Sequence, residues 1–274
     1  MRYRDIPPPE GINVTQVHPL KELALLLSGA VAAVVALAFL LATFGGTLAR
    51  MIPVKMEMSL VSGYEAPEHT QRELTRFVRE LGKRLADQME MPEELEVQIH
   101  VVDDDTVNAF ATLGGHIILY QGLLERIPHE NALAFLIAHE LAHLKYRDPI
   151  AAFGQGAAVN IGLGLLLGSS NLSVLESAGL LTTLRFSREM ETRADDAAIE
   201  AVIRIYGHAT GAAELFRVLL KESEGSYQPP ALFSTHPGLD ERIHRLNVLH
   251  RDEHRITPLP PEFSDWIEST NHLR

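Results

Sequence analysis

The chain has no cysteine among its 274 residues, so no disulfide can staple it and its redox compartment cannot be inferred. It also lacks a basic face. Lys and Arg number 24 against 36 Asp and Glu, giving a net charge of −12, and the cations nowhere form a continuous patch. That balance excludes a nucleic-acid partner. There is no internal repeat, and the three acids Asp103, Asp104 and Asp105 read as a solvated cap at a strand end.

Charge is missing altogether from residues 23–49. Residues 23–44 are mostly Leu, Ala, Val and Phe, and at about 1.5 Å per residue they can cross a hydrocarbon core of about 30 Å. The reading is one transmembrane helix flanked by Lys21 and Arg50. A cleaved signal peptide is the alternative, but its apolar region runs only about 7 to 15 residues. Arg2, Arg4 and Lys21 precede the span and Arg50 and Lys55 follow it, a bias that puts the N-terminus in the cytoplasm and the rest outside. Beyond the span about 220 residues remain, enough for one well-buried domain and not for two.

What the chain does have is the run His139-Glu140-Leu141-Ala142-His143 inside an apolar stretch. Residues four apart lie on one face of a helix, so both imidazoles can grip a single zinc ion while Glu140 overlooks the metal-bound water as a general base. Pro128 and Asn131 mark the approach to this helix, and Asp148-Pro149 is read as its end. Catalytic zinc keeps three protein ligands and one open position. Downstream, residues 187–195 offer Glu191 as third ligand, with Asp195 one turn on to accept the second ring N–H of a ligand histidine. Glu189 competes, but it lies about 200° round the helix from Glu191 and only one of them can face the metal.

Three further segments carry a resemblance. Asn108-Ala109-Phe110-Ala111 with Gly114-Gly115-His116-Ile117, the Glu191 to Asp195 pattern, and Thr235-His236-Pro237 followed by Arg242-Ile243 stand in the order found in one family. The chain resembles the membrane-associated zinc metallopeptidases that include HtpX, the type I CAAX prenyl protease, the mitochondrial Oma protease and periplasmic BepA. The likeness runs from about residue 65 to 250. It implies an α+β, mainly α, gluzincin domain with a small β-sheet, preceded by the N-terminal transmembrane helix. It also implies peptide-bond hydrolysis with Zn2+ on His139, His143 and Glu191 and Glu140 as base. His236 and Arg242 become candidate donors to the developing carbonyl oxygen, with a simple turn and a structural ion pair as their alternatives. Asn108, Gly114, Gly115, His116 and Ile117 become candidate substrate-binding positions.

The residues themselves point the same way. Leu74, Phe77, Val78, Leu81 and Leu85 make residues 65–89 a core-facing helix, residues 95–101 alternate as a strand, and residues 115–120 read as a second strand whose free edge could dock an extended peptide. His100, His116, His129, His208, His244 and His250 have no ligand spacing and read as surface or satisfied side chains. Residues 151–184 are apolar but broken by Gly168-Ser169-Ser170-Asn171 and Glu176. They are expected as two helices over the active site or on the bilayer surface, rather than a transmembrane hairpin, and as a potential lid. The resulting division is a tail over 1–22, an anchor over 23–49, a linker over 50–64, a metallopeptidase domain over 65–252 and an extension over 253–274. The expected partners are unfolded or misfolded proteins and the lipid bilayer of the inner membrane, with the domain on the periplasmic side. A non-catalytic membrane scaffold of the same fold is the rival reading, and prenyl-protein processing a lesser one.

Overall fold

The computed structural model describes residues 18–61, 71–167, 184–223, 230–249 and 256–271. Residues 1–17 of the expected tail, residues 65–70 of the first expected domain helix, residues 168–183 of the expected lid, and His250 lie outside them. The architecture is helical with one small sheet, as the sequence implies.

Helix α1 spans Pro19–Arg50. Its segment Pro19–Leu40 has a mean hydropathy of 2.7 and none of it is buried against protein, so among the described residues it is the helix long and apolar enough to cross a membrane. Helix α2, Val54–Leu60, follows directly. Helix α3, Arg72–Ala86, buries Leu74, Val78, Leu81 and Leu85 at four- and three-residue spacing. It ends three residues short of the expected Met89.

Strands β1 (Gln98–Val102), β2 (Ala109–Ala111) and β3 (His116–Tyr120) form a sheet in the order β1-β3-β2, with β1 parallel and β2 antiparallel to β3. Two expectations need correcting. Strand β1 begins at Gln98 rather than residue 95, because its register opposite His116 leaves nothing for earlier residues to pair with. Strand β3 is the central strand and has no free edge; the edges belong to β1 and β2, and β2 at three residues is too short to show any alternation. Tyr120 N–H donates to the Asn108 carbonyl and Thr112 N–H to the His116 carbonyl. In an antiparallel ladder this turns the peptide groups of Ala109 and Ala111 away from β3.

The β2–β3 connection needs its glycines. Gly114 and Gly115 have φ of 75° and 88°, and a Cβ on Gly115 would sit 2.2 Å from the Glu96 carbonyl oxygen. Short helix α4, Gln121–Leu124, leads from β3 towards helix α5, Glu130–Lys145. Residues 131–144 of α5 are all buried, which explains a sequence apolar on every side rather than amphipathic. The His129 ring caps it by accepting from Ala132 N–H and also contacts Glu214 at 2.8 Å, so this histidine is satisfied structurally.

Helix α5 ends at Lys145, and Asp148-Pro149 opens helix α6, Asp148–Leu167, rather than closing α5. Between them Arg147 takes a left-handed φ of 55°. The main packing partner of α6 is α1, not the site. The two run antiparallel, with Gly46 against Ala151 and Gln155, and Gly154 against Gly45 and Ala49. Helix α7, Arg188–Tyr206, starts at a Ser187 cap and stops at Gly207, whose φ is 79°. It packs across α5. Helices α8 (Glu214–Ser223), α9 (Ala231–Thr235), α10 (Leu239–Leu249) and α11 (Phe263–Asn271) complete the shell.

Gly115→Ala should cost about 1–3 kcal/mol from its left-handed backbone alone. A thermal melt of the solubilised chain reads this as a lowered midpoint; an unchanged midpoint would mean that the turn tolerates a side chain.

Candidate metal centre

Helix α5 presents His139, Glu140 and His143, and α7 presents Glu191 and Asp195 across from them. The loop after α9 brings His236, and α10 brings Arg242. All seven side chains are buried. Glu189 is exposed on α7, while Glu191 is buried facing the two histidines.

The two Nε2 atoms of His139 and His143 lie 3.1 Å apart. Glu191 Oε2 is 3.3 Å from the first and Glu191 Oε1 is 3.5 Å from the second. Donors around a tetrahedral ion with bonds of about 2.0–2.1 Å stand about 3.3 Å from one another, so this trio has the spacing of a closed ligand set before any ion is placed. The two remaining ring nitrogens are both taken by carboxylates. His139 Nδ1 lies 3.0 Å from Asp195 Oδ1, and His143 Nδ1 lies 3.0 Å from Asp148 Oδ2. Each ring is thereby fixed in the orientation that aims Nε2 at the common point. The Phe186 ring stacks on His143 at 3.9 Å and closes that side.

His236 joins the same cluster. Its Nδ1 is 3.1 Å from Glu191 Oε1, while its Nε2 is 3.5 Å from Glu140 Oε1. Those last two buried atoms, His236 Nε2 and Glu140 Oε1, make no hydrogen bond. The other Glu140 oxygen accepts from Ala111 N–H at 2.7 Å. Buried polar atoms left unpaired around a His, His, carboxylate set fit a site built for a metal ion and its water.

Arg242 is not free to face a reacting carbonyl. It forks onto Asp195 through Nε (2.8 Å) and Nη2 (2.7 Å), and its Nη1 lies 2.5 Å from Glu191 Oε2. The candidate substrate residues are placed less uniformly. Asn108 Oδ1 accepts from Ala109 N–H, Gly114 and Gly115 form the tight turn, His116 meets His100 at 2.9 Å, and Ile117 is fully buried in the central strand. Among these positions none contacts Glu140; the backbone N–H that does belongs to Ala111.

Sequence reasoning missed Asp148, Phe186, Arg193 and Arg50. Arg50 Nη2 and Arg193 Nη2 both donate to Asp148 Oδ1, at 2.7 and 2.6 Å. No spacing rule joins Asp148 to His143, because their contact depends on the left-handed turn at Arg147.

The electrostatics follow from this burial. Burial works to raise the Glu191 carboxyl, but the charge of His236 and hydrogen bonds from three histidines hold it far below the usual carboxylate range. Asp195, likewise buried, is held down at about 2 by His139 and Arg242. Burial pulls His143 down, yet its bonds to Asp148 and Glu191 outweigh that and push it up to about 9. Without an ion, then, the surrounding carboxylates favour a proton on His143.

Two histidines one turn apart, a carboxylate from a second helix and a glutamate beside them define a metallopeptidase-type centre. The chain belongs to peptidase family M48, whose pattern matches residues 71–250. It is 32% identical over 159 residues to the mitochondrial metalloendopeptidase OMA1 of Schizosaccharomyces pombe, a match covering 56% of this chain and 46% of that protein. It is 29% identical over 187 residues to the beta-barrel assembly-enhancing protease of Yersinia pestis, covering 62% of this chain and 37% of that protein. With a protease HtpX homolog of Burkholderia multivorans it shares 28% identity over 240 residues, 72% of this chain and 81% of that protein. The chain thus spans less than half the length of the first two relatives.

A metal bound here must displace the His143 proton, so its affinity should rise as pH is raised towards about 9. Calorimetric titration of the metal-free chain in buffers of different ionisation heat should show proton release on binding. An affinity that stays flat between about pH 6 and 9 contradicts the assignment. Asp148→Asn should weaken metal binding about 10- to 100-fold while leaving all three donors in place. A competition titration against a chromophoric chelator measures it.

Proposed function

We propose that the chain is a membrane-anchored zinc-dependent endopeptidase that cleaves unfolded or misfolded proteins in envelope quality control. The observation that carries this reading is the closed spacing of His139, His143 and Glu191 beside a glutamate with one unpaired oxygen. These three residues would hold one Zn2+, a His2Glu set of the catalytic kind. Bound there, the ion supplies a Lewis acid and a water of lowered pKa.

The remaining steps belong to side chains. Glu140 is held by Ala111 N–H through Oε2, so Oε1 is the atom that takes the proton from the attacking water and later returns it to the leaving amine. His236 donates to the carbonyl oxygen as charge develops, a role supported by its Nε2 lying 3.5 Å from Glu140 Oε1. Asp195 and Arg242 position the ligands. An extended substrate pairs along β2, whose Ala109 and Ala111 carbonyls turn away from β3 and carry no side-chain preference. Residues 65–252 make up the catalytic domain, residues 23–49 the anchor of a single-pass inner-membrane protein, and the excess of cations before the anchor puts the domain on the periplasmic side. A scaffold that merely binds clients has no use for the unpaired Glu140 oxygen, and this favours the enzyme.

Casein cleavage by the purified, detergent-solubilised chain tests the reading. Glu140→Gln should lower kcat about 10^2- to 10^4-fold with metal still bound. Chelation should abolish cleavage and zinc should restore it. Full metal occupancy without cleavage of any unfolded substrate would sink the peptidase assignment. His236→Ala should lower kcat about 10^2- to 10^3-fold with little change in KM; a change confined to KM would remove His236 from the reacting centre.

A further inference from the structure

We propose that Arg50, the last residue of the membrane helix α1, is a positioning residue for the metal ligand His143, acting through Asp148. The proposal rests on the metal centre above but not on peptide cleavage. Asp148 is fully buried, and its two oxygens face in different directions. Oδ2 holds His143 Nδ1 at 3.0 Å, while Oδ1 receives Arg50 Nη2 at 2.7 Å and Arg193 Nη2 at 2.6 Å. A carboxylate that orients a ligand imidazole must itself be held, and here one of its two holders comes from the end of the anchor.

Arg50 is also bound to the turn that makes this contact available. Its Nε donates to the Tyr146 carbonyl at the end of α5, and its own carbonyl accepts from Arg147 Nη1 at 2.7 Å. Arg147, in its left-handed conformation, reaches in turn to Glu57 of α2 through Nη2 (2.7 Å) and Nε (3.3 Å). Glu57 is nearly fully buried, and its other oxygen accepts from Gly114 N–H at 3.3 Å. The exit of the membrane helix is therefore pinned to the ligand helix on one side and to the β2–β3 turn on the other. Helix α6, which begins with Asp148 itself, runs back along α1. A shift of α1 along or across the bilayer cannot leave Asp148 where it is, so the metal site senses how the anchor sits.

The experiment is a metal-affinity comparison on the full-length, solubilised chain, with Zn2+ competition and the visible spectrum of Co2+ in place of Zn2+ as readouts. Arg50→Met should weaken metal binding about 10-fold and alter the Co2+ spectrum, since losing a ligand's supporting partner typically costs about 10- to 100-fold. Arg50→Lys, which keeps the charge and a donor, should recover most of the loss. In the background of Asp148→Asn, Arg50→Met should have no further effect on affinity, because both act through one carboxylate. A circular-dichroism melt confirms that each variant is folded, and Arg50→Gln replaces Arg50→Met should that variant fail to fold. Wild-type affinity and spectrum in Arg50→Met, or losses that multiply in the double variant, would overturn the proposal. Tight metal binding by a wild-type chain that cleaves nothing would defeat the peptidase reading and leave this one standing.

Discussion

Buried negative charge is the constraint on which the rest of the structure depends. Glu140, Asp148, Glu191 and Asp195 are all shut away from water, and each unpaired carboxylate in such a place costs several kcal/mol. Every one has its compensation. Asp195 and Glu191 share Arg242, Asp148 has Arg50, Arg193 and His143, and Glu140 takes a backbone N–H from β2. These partners come from α1, α5, α7, α10 and the sheet, so the need to neutralise four carboxylates on three helices gathers elements distant in sequence. The apolar surround of α5 keeps the dielectric low and makes each of these pairings consequential.

Two walls of the site differ in kind. One is β2, whose outward peptide groups are chemically uniform and whose Ala111 N–H fixes the orientation of Glu140. The orientation of the Glu140 carboxylate is consequently a property of one three-residue strand. The other wall is the junction of α5, α6 and the membrane exit, where guanidinium groups add directional contacts to a small apolar cluster of Ala49, Val61, Leu113 and Ile150. Guanidinium forks hold direction more stringently than apolar contacts do, and direction is what a ligand imidazole needs.

Much of this was legible in the sequence. The apolar span, the His139 to His143 helix, the choice of Glu191 over Glu189 and the pairing of Asp195 with a ligand ring all follow from helical period and charge, which are local. Three features were not legible, for physical reasons. Strand β2 has only three residues and no alternation, so β3 was read as an edge when it lies in the centre. Asp148 was read as a helix stop because a backbone turn, not a spacing, brings it to His143. Arg50 was read as a membrane-flanking charge, and nothing between positions 50 and 148 signals that the two meet. Local patterns thus carried the donors, while the groups that hold the donors depended on tertiary contacts.

Arg242 shows why the late Thr-His-Pro segment and the α7 carboxylates belong to one device. Glu191 and Asp195 stand one turn apart on the same face of α7, an arrangement in which like charges repel and weaken a helix. Burial strengthens that repulsion. A single planar guanidinium relieves it by presenting Nε and Nη2 to Asp195 and Nη1 to Glu191. A lysine at this position has one compact charge and cannot span both carboxylates in fixed directions. His236, six residues before Arg242, then meets the Glu191 carboxylate with its Nδ1 at 3.1 and 3.3 Å from the two oxygens. The spacing from histidine to arginine in that segment thus lets the two side chains hold Glu191 from two sides.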